Sequence, residues 1–234
     1  MIRTRFNKIG YLKYLSHLDL VRLFTRSFSM ADLPVKYTEG FNPHPRFSIG
    51  NPLPLGTESE AEYMDIDFDI DISAEEVKVR LNSVLPEGIK IIDASESFDS
   101  SSLSSSVSWS LYEMRLKISG MKPENEDIMI EKLKSWEDKK EVYIDKRKKK
   151  GKGKTFVKVD IVPLIREIEF RGFDEEGFFV IDAILKTGEG GNLRPAELIS
   201  AIERDIELGI DVELTQIKRI EAFVEDNGEL RKPI

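Results

Sequence analysis

Ser95-Glu96-Ser97-Phe98-Asp99-Ser100-Ser101-Ser102-Leu103-Ser104-Ser105-Ser106-Val107-Ser108-Trp109-Ser110 holds ten serines in sixteen residues, with few large apolar side chains before Trp109. A low-complexity tract of this kind cannot build a core and reads as a linker. It divides the 234-residue chain into an N-terminal domain over 1–99, a linker over 100–106 and a C-terminal domain over 107–234, each of ordinary domain size.

Before the tract, Arg3 to Lys8 reads as a strand, and Leu20, Val21, Phe24, Phe28 and Ala31 give residues 17–32 a helical apolar pattern. Arg46 to Ile49 reads as a short strand. Tyr63 to Ile72 alternates almost strictly, with Asp65, Asp67, Asp69 and Asp71 on one face, the pattern of a half-buried antiparallel strand with a solvated side. Aspartates two apart on a strand are roughly 6.5 to 7 Å from one another, too far to share a cation easily, so no metal site is read here. A helix over 74–85, stopped by Pro86 and Gly88, and a strand from Ile89 complete the order β-α-β-β-α-β.

After the tract, the order repeats. Val107 to Ser119 reads as a strand and Glu124 to Trp136 as a helix. Glu141–Lys148 and Thr155–Ile161 read as an inserted hairpin, and Ile165–Phe170 pairs with Phe178–Lys186 across Asp174-Glu175-Glu176-Gly177. A helix over Pro195–Asp205 and a strand over Val212–Phe223 close the series. The fold class expected is α+β, as two tandem ferredoxin-like (βαββαβ) units with antiparallel sheets, the second carrying the inserted hairpin.

With no cysteine and only His17 and His44, the chain can hold no disulfide, thiol nucleophile or Cys-ligated cluster, and a multi-histidine metal centre is not expected. No cofactor is expected. No apolar run approaches the roughly 18 to 20 residues of a membrane helix, and the N-terminus lacks the apolar core of a signal peptide, so a cytoplasmic protein without membrane contact is expected. The net charge of −8 is unevenly spread. Residues 1–56 carry 8 basic against 3 acidic side chains, and residues 57–106 carry 3 against 13. The densest basic run, with seven cations in the nine positions 146–154, contains Lys146, Arg147, Lys148, Lys149 and Lys150. It is either a solvated loop tip or a contact for phosphate.

Three local sequences carry chemistry. Ser16-His17-Leu18-Asp19 opens the first helix as a capping box, and Asp19, Arg22 and Arg26 can share one helix edge. His17 there either helps to cap the helix or serves as general base or nucleotide-stacking group. In Gly40-Phe41-Asn42-Pro43-His44-Pro45-Arg46-Phe47-Ser48 the prolines fix the backbone on both sides of His44. Tyr37, Phe41 and Phe47 interleave with Lys36, His44 and Arg46, which suits stacking on unpaired bases with phosphate contacts, or a structural turn with buried aromatics. Gly188-Glu189-Gly190-Gly191-Asn192-Leu193-Arg194-Pro195 places a glycine-rich loop before a helix, which reads as a plain strand-to-helix turn, favoured by Glu189, or as a generic anion site to which Arg194 adds charge.

Arg5, Phe6, Lys8 and Gly10, then Tyr14 to Asp19, Gly40 to Pro45, and Pro52-Leu53-Pro54-Leu55-Gly56 with Ser59, Glu62 and Tyr63, resemble the bacterial radical-SAM-associated domain of unknown function. Val159-Asp160-Ile161 and Asn192 to Pro195 extend the resemblance over nearly the whole chain. That family occurs alone or as a C-terminal extension of radical SAM proteins and looks genetically associated with ribosomal proteins and an RNase. The resemblance implies a separate radical SAM enzyme as partner and RNA or a ribonucleoprotein as target. The doubled fold is also similar to that of CRISPR repeat-processing endoribonucleases, an analogy of fold alone. The expected function is a non-catalytic RNA-binding adaptor. One alternative is a metal-independent RNA-processing enzyme using His17. The other is a module that docks on a radical SAM enzyme without touching RNA.

Overall fold

The computed structural model describes residues 1–97, 103–120, 123–150, 153–188 and 190–234, the side chains of Ser104, Pro123, Lys148, Lys149, Lys150 and Lys154 excepted. Its elements run β1 (Ile2–Lys8), α1 (His17–Met30), β2 (Phe47–Ile49), β3 (Glu58–Ile66), α2 (Ala74–Asn82), β4 (Ile89–Glu96) and α3 (Leu103–Ser106). They continue with β5 (Val107–Ile118), α4 (Glu126–Glu137), β6 (Tyr143–Lys150), β7 (Gly153–Asp160), β8 (Ile165–Phe173), β9 (Phe179–Lys186), α5 (Pro195–Ile206), β10 (Ile210–Asp226) and β11 (Glu229–Arg231). This is a mixed α+β architecture on a mostly antiparallel sheet. Two compact units form: Met1–Ser110 with Lys218–Ile234, and Leu111–Ile217.

In the first unit, β1 lies between β4 and β3, antiparallel to both, with Ile2 opposite Ile66 and Lys8 opposite Ser59. On its other side β3 takes β2 antiparallel and, at Glu58 and Ser59, β10 in parallel through Lys218 and Arg219. Ser16 caps α1 by accepting from the Asp19 amide at 3.2 Å, and Ser73 caps α2 in the same way. The buried residues Leu20, Phe24 and Phe28 recur every four positions on α1 and so share one stripe. That stripe packs on Phe6, Met64, Ile66, Val77 and Leu81, with Phe6 edge-on to Phe24 at 4.9 Å.

The second unit, read by itself, has the strand order β10-β5-β9-β8, with Met114, Leu116, Phe179, Ile181, Leu198 and Ile202 buried. The Trp136 indole donates to Asp205 at 3.0 Å and ties α4 to α5. Strands β6 and β7 pair with each other as a separate two-stranded sheet. Among the described residues no helix is long and apolar enough to cross a membrane.

Four readings differ from the sequence. The alternating strand starts earlier than Tyr63 and ends at Ile66, and its aspartates do not form one solvated face. Asp65 is 5% exposed because the β1–β3 register sets Arg3 opposite it, where the guanidinium donates at 2.7 and 3.0 Å. Asp67 pairs with Arg46 at 3.2 Å. The segment Lys218–Ile234, assigned by sequence to the C-terminal domain, belongs to the first unit. Of the expected linker, 100–102 lie outside the described residues, while Leu103 is buried against Ala61, Tyr63, Val107 and Ala222. Strand β11 was not foreseen, although its hairpin turn, Asn227-Gly228 with φ of 51° and 85°, is the Asn-Gly pair that such turns favour.

The four aspartates therefore separate by environment. Asp65→Ala leaves Arg3 as a buried cation without its partner and is expected to cost about 3–5 kcal/mol in urea unfolding. Asp69→Ala and Asp71→Ala, at exposed positions, are expected to stay within about 0.5 kcal/mol of the parent.

Candidate nucleic-acid interface

The start of α1 is fixed locally. Ser16 donates to Asp19 Oδ2 at 2.6 Å, and Arg22 donates to Asp19 Oδ1 at 3.1 Å. The Ser16 hydrogen bond, helped by Arg22, holds the Asp19 carboxyl below its usual range. Arg22 is thus partly neutralised, whereas Arg26 is exposed and has no ion pair among the described residues. His17 is half-buried in the first helical turn. Beside this helix start stand side chains that sequence reasoning missed: Tyr11 is 92% exposed, Tyr14 63% and Leu18 65%. Tyr11 and Tyr14 lie in a single 3-10 turn over Gly10–Tyr14, and the Lys13 ammonium sits 5.6 Å from the Tyr14 ring centre. The Tyr-x-x-Tyr spacing was the available signal, since it sets both rings on one side of a three-residue turn.

Residues 36–46 form a short hairpin. Arg46 N donates to Lys36 O at 2.7 Å and Thr38 N to His44 O at 2.9 Å. The His44 amide in turn reaches the Thr38 hydroxyl at 3.0 Å. The loop is anchored on the end of β3, where Lys36 N donates to Asp67 O at 2.8 Å. Phe41 projects fully into solvent at the tip, and His44, Lys36 and Arg46 are exposed. The backbone around His44 is thus held while its imidazole is presented, as the flanking prolines suggested.

The two histidines are not brought together. The hairpin is anchored next to Ile66, which pairs with Ile2 at the start of β1. Helix α1 begins after the other end of β1, and its 14 residues span about 21 Å. Among the described residues no hydrogen bond or ion pair joins His17 and His44, and no group of three or more His, Cys, Asp or Glu side chains is placed to hold a metal ion.

Several of the motif residues meet in the interior of the sheet. Arg219 pairs with Glu62, both under 5% exposed, and also donates to Asn51 O at 3.2 Å. Lys8, 3% exposed, donates to Lys13 O at 3.4 Å. Burial drives the Lys8 ammonium below its usual range, against the pull of Glu62 and with the push of Arg219. Elsewhere in the same unit Glu221 takes Arg5 at 3.1 Å, Lys232 at 3.1 Å and the Tyr63 hydroxyl at 2.7 Å. Burial first, and then Glu221, push the Tyr63 phenol up.

In the second unit, Lys146 is committed to α5: its ammonium lies 3.0 Å from Glu197 and donates to Asn192 O. At the start of α5 the Arg194 amide donates to Glu197 at 2.9 Å, so a carboxylate of the helix itself takes this donor. Arg147 and Arg194 are exposed. The side chains of Lys148, Lys149 and Lys150 lie outside the described residues, as does Glu189.

Glu62 pairs with Arg219 and also attracts the Lys8 ammonium, so removing one cation differs from removing the anion. Glu62→Gln is expected to cost about 3–5 kcal/mol, whereas Lys8→Met is expected to be neutral or stabilising, since it leaves a one-to-one pair. The lowered Lys8 value means that the unfolded chain holds the extra proton above it, so stability rises with pH from that value towards about 10.4, and Lys8→Met removes this rise. Urea unfolding between neutral and alkaline pH reads both effects. No curated protein matches the chain. A family model described as uncharacterised proteins conserved in bacteria, DUF2344, matches residues 1–195, and the chain belongs to that family.

Proposed function

We propose that the protein is a non-catalytic adaptor of the bacterial cytoplasm that binds RNA or a ribonucleoprotein and offers it to a separate modifying enzyme. The observation that carries this reading is the 36–46 hairpin, which holds Phe41 wholly in solvent at its tip and presents His44, Lys36 and the Asp67-paired Arg46 on the same backbone, closed by three internal hydrogen bonds. A fully solvated aromatic on a rigid loop is a ready stacking surface, and binding to it costs little ordering entropy. Neighbouring cations supply the phosphate contacts.

The tandem ferredoxin-like arrangement is part of the same proposal. In its support, each unit has the strand order expected of one βαββαβ motif: β4-β1-β3 with β2 beyond β3, and β10-β5-β9-β8. The proposed modifying partner is a radical SAM enzyme. This rests on the resemblance of the N-terminal motifs, and the absence of cysteine assigns any iron–sulfur cluster to that partner.

A second reading, docking on a partner protein, is favoured by the exposed Tyr11, Tyr14 and Leu18 beside the start of α1. An enzymatic role for His17 has less support, since α1 separates it from the His44 loop.

Fluorescence anisotropy with total tRNA and rRNA, titrated over salt, tests the adaptor. Binding is expected at low salt and falls as salt rises. Phe41→Ala is expected to weaken it by about 1–3 kcal/mol. Lys36→Ala is expected to flatten the salt slope by about 0.7 if the contacted RNA is single-stranded. Absence of binding at low salt, with co-purification of a partner that survives nuclease, would replace the adaptor by the docking module.

A further inference from the structure

The β6–β7 hairpin has two unlike faces. Its register sets Arg147 opposite Phe156, Asp145 opposite Lys158, Lys146 opposite Val157 and Ile144 opposite Val159. Side chains alternate along a strand, so Arg147, Phe156, Asp145 and Lys158 share one face while Lys146, Val157, Ile144 and Val159 share the other. The second face is fastened within its unit through Lys146 to Glu197 and Asn192, and the base of the hairpin is held by Arg204, which donates to Tyr143 O at 2.8 Å. All four residues of the first face are exposed, and Phe156 is 70% exposed. Between Tyr143 and Asp160 the sequence has eight Lys or Arg against two aspartates.

We infer that Phe156 is a stacking site for an unpaired nucleobase, with Arg147 and Lys158 holding the adjoining phosphates. This deepens the RNA-binding reading and rests on it. Cross-strand neighbours on one face stand about 5 Å apart at Cβ, so the Arg147 guanidinium reaches the edge of whatever lies on the Phe156 ring. An apolar protein surface covering this ring would strip water from Arg147 and Lys158 without replacing it. A nucleotide covers the ring with its base and meets both cations with phosphate. The hairpin extends the Phe41 surface in kind: each is an exposed ring on a backbone already fixed by its own hydrogen bonds.

The probe is a single-stranded RNA of about 12 nucleotides bearing one 2-aminopurine, whose fluorescence drops when the base stacks on an aromatic ring. The wild-type protein is expected to bind and quench it. Phe156→Ala is expected to bind roughly 5- to 150-fold more weakly with the quench lost, Phe156→Trp to retain both, and Phe156→Leu to resemble Ala. Circular dichroism checks that the variants are folded, which the exposure of Phe156 favours. Wild-type affinity and quench in Phe156→Ala would overturn the stacking site while leaving RNA binding in place. Full rescue of affinity by Leu would overturn the stacking site in favour of a non-stacking apolar contact with the RNA. Failure of the wild-type protein to bind at low salt would overturn the RNA-binding reading itself.

Discussion

The first unit depends on the neutralisation of charge that its sheet buries. Glu62 on β3 and Arg219 on β10 are both almost wholly removed from water, and an ion in that position is tolerable only beside its counter-ion. The same holds for Arg3 with Asp65 and for Glu221, which gathers Arg5, Lys232 and the Tyr63 hydroxyl. Arg3 and Asp65 tie β1 to β3, whereas the Glu62–Arg219 pair and the Glu221 cluster join residues of the first 63 positions to the segment from Lys218 onward. The last segment must therefore return to the first unit, because without it Glu62 and Arg5 would be left buried or half-buried without their partners. Apolar packing alone gives no such direction: the ring contacts of Phe6, Phe24 and Phe28 bury area without specifying which distant strand lies beside β3.

This constraint changes the meaning of the charge distribution. The first 56 residues carry an excess of cations, but Arg3 and Lys8 are buried, and Arg5, Arg22 and Arg46 stand beside carboxylates. A count along the sequence mixes cations that hold the fold with cations that can meet a ligand. What faces solvent in that region is a smaller set, Arg26 and Lys36 foremost, and Lys36 shares its hairpin with Phe41, an exposed ring that composition does not distinguish from core.

The helices and most strands were legible because their signals are local. Ser16 acts as the cap that its position suggested, and the stripe of Leu20, Phe24 and Phe28 is periodic. Long-range pairing was not legible. Asp65, Asp67, Asp69 and Asp71 look equivalent in sequence, and only the register with β1 and the loop from Lys36 to Arg46 tells them apart. Leu103 and Val107 are easily lost among serines, yet they are the two side chains that draw that tract onto Ala61 and Ala222. At the candidate site, the rigid loop around His44 was readable from its prolines, whereas the exposure of Tyr11, Tyr14 and Phe156 was not, since an aromatic residue in a strand or turn is equally consistent with burial.

The buried pairs and the exposed rings also answer to different physics. Ion pairs a few per cent exposed are screened weakly by salt, while exposed cations such as Lys36 and Arg147 lose most of their reach within about 8 Å at physiological ionic strength. Stability in the first unit is therefore largely insulated from the medium that governs any contact with a polyanion. Phe41 and Phe156 add nothing to the core, and the hairpins that carry them are closed by backbone bonds of their own. Substitution at these tips acts on recognition without drawing on the network around Glu62, Arg219 and Glu221. That separation lets a chain with an overall charge of −8 keep local surfaces suited to an anionic partner, because a net charge says nothing about how charge is distributed over the surface.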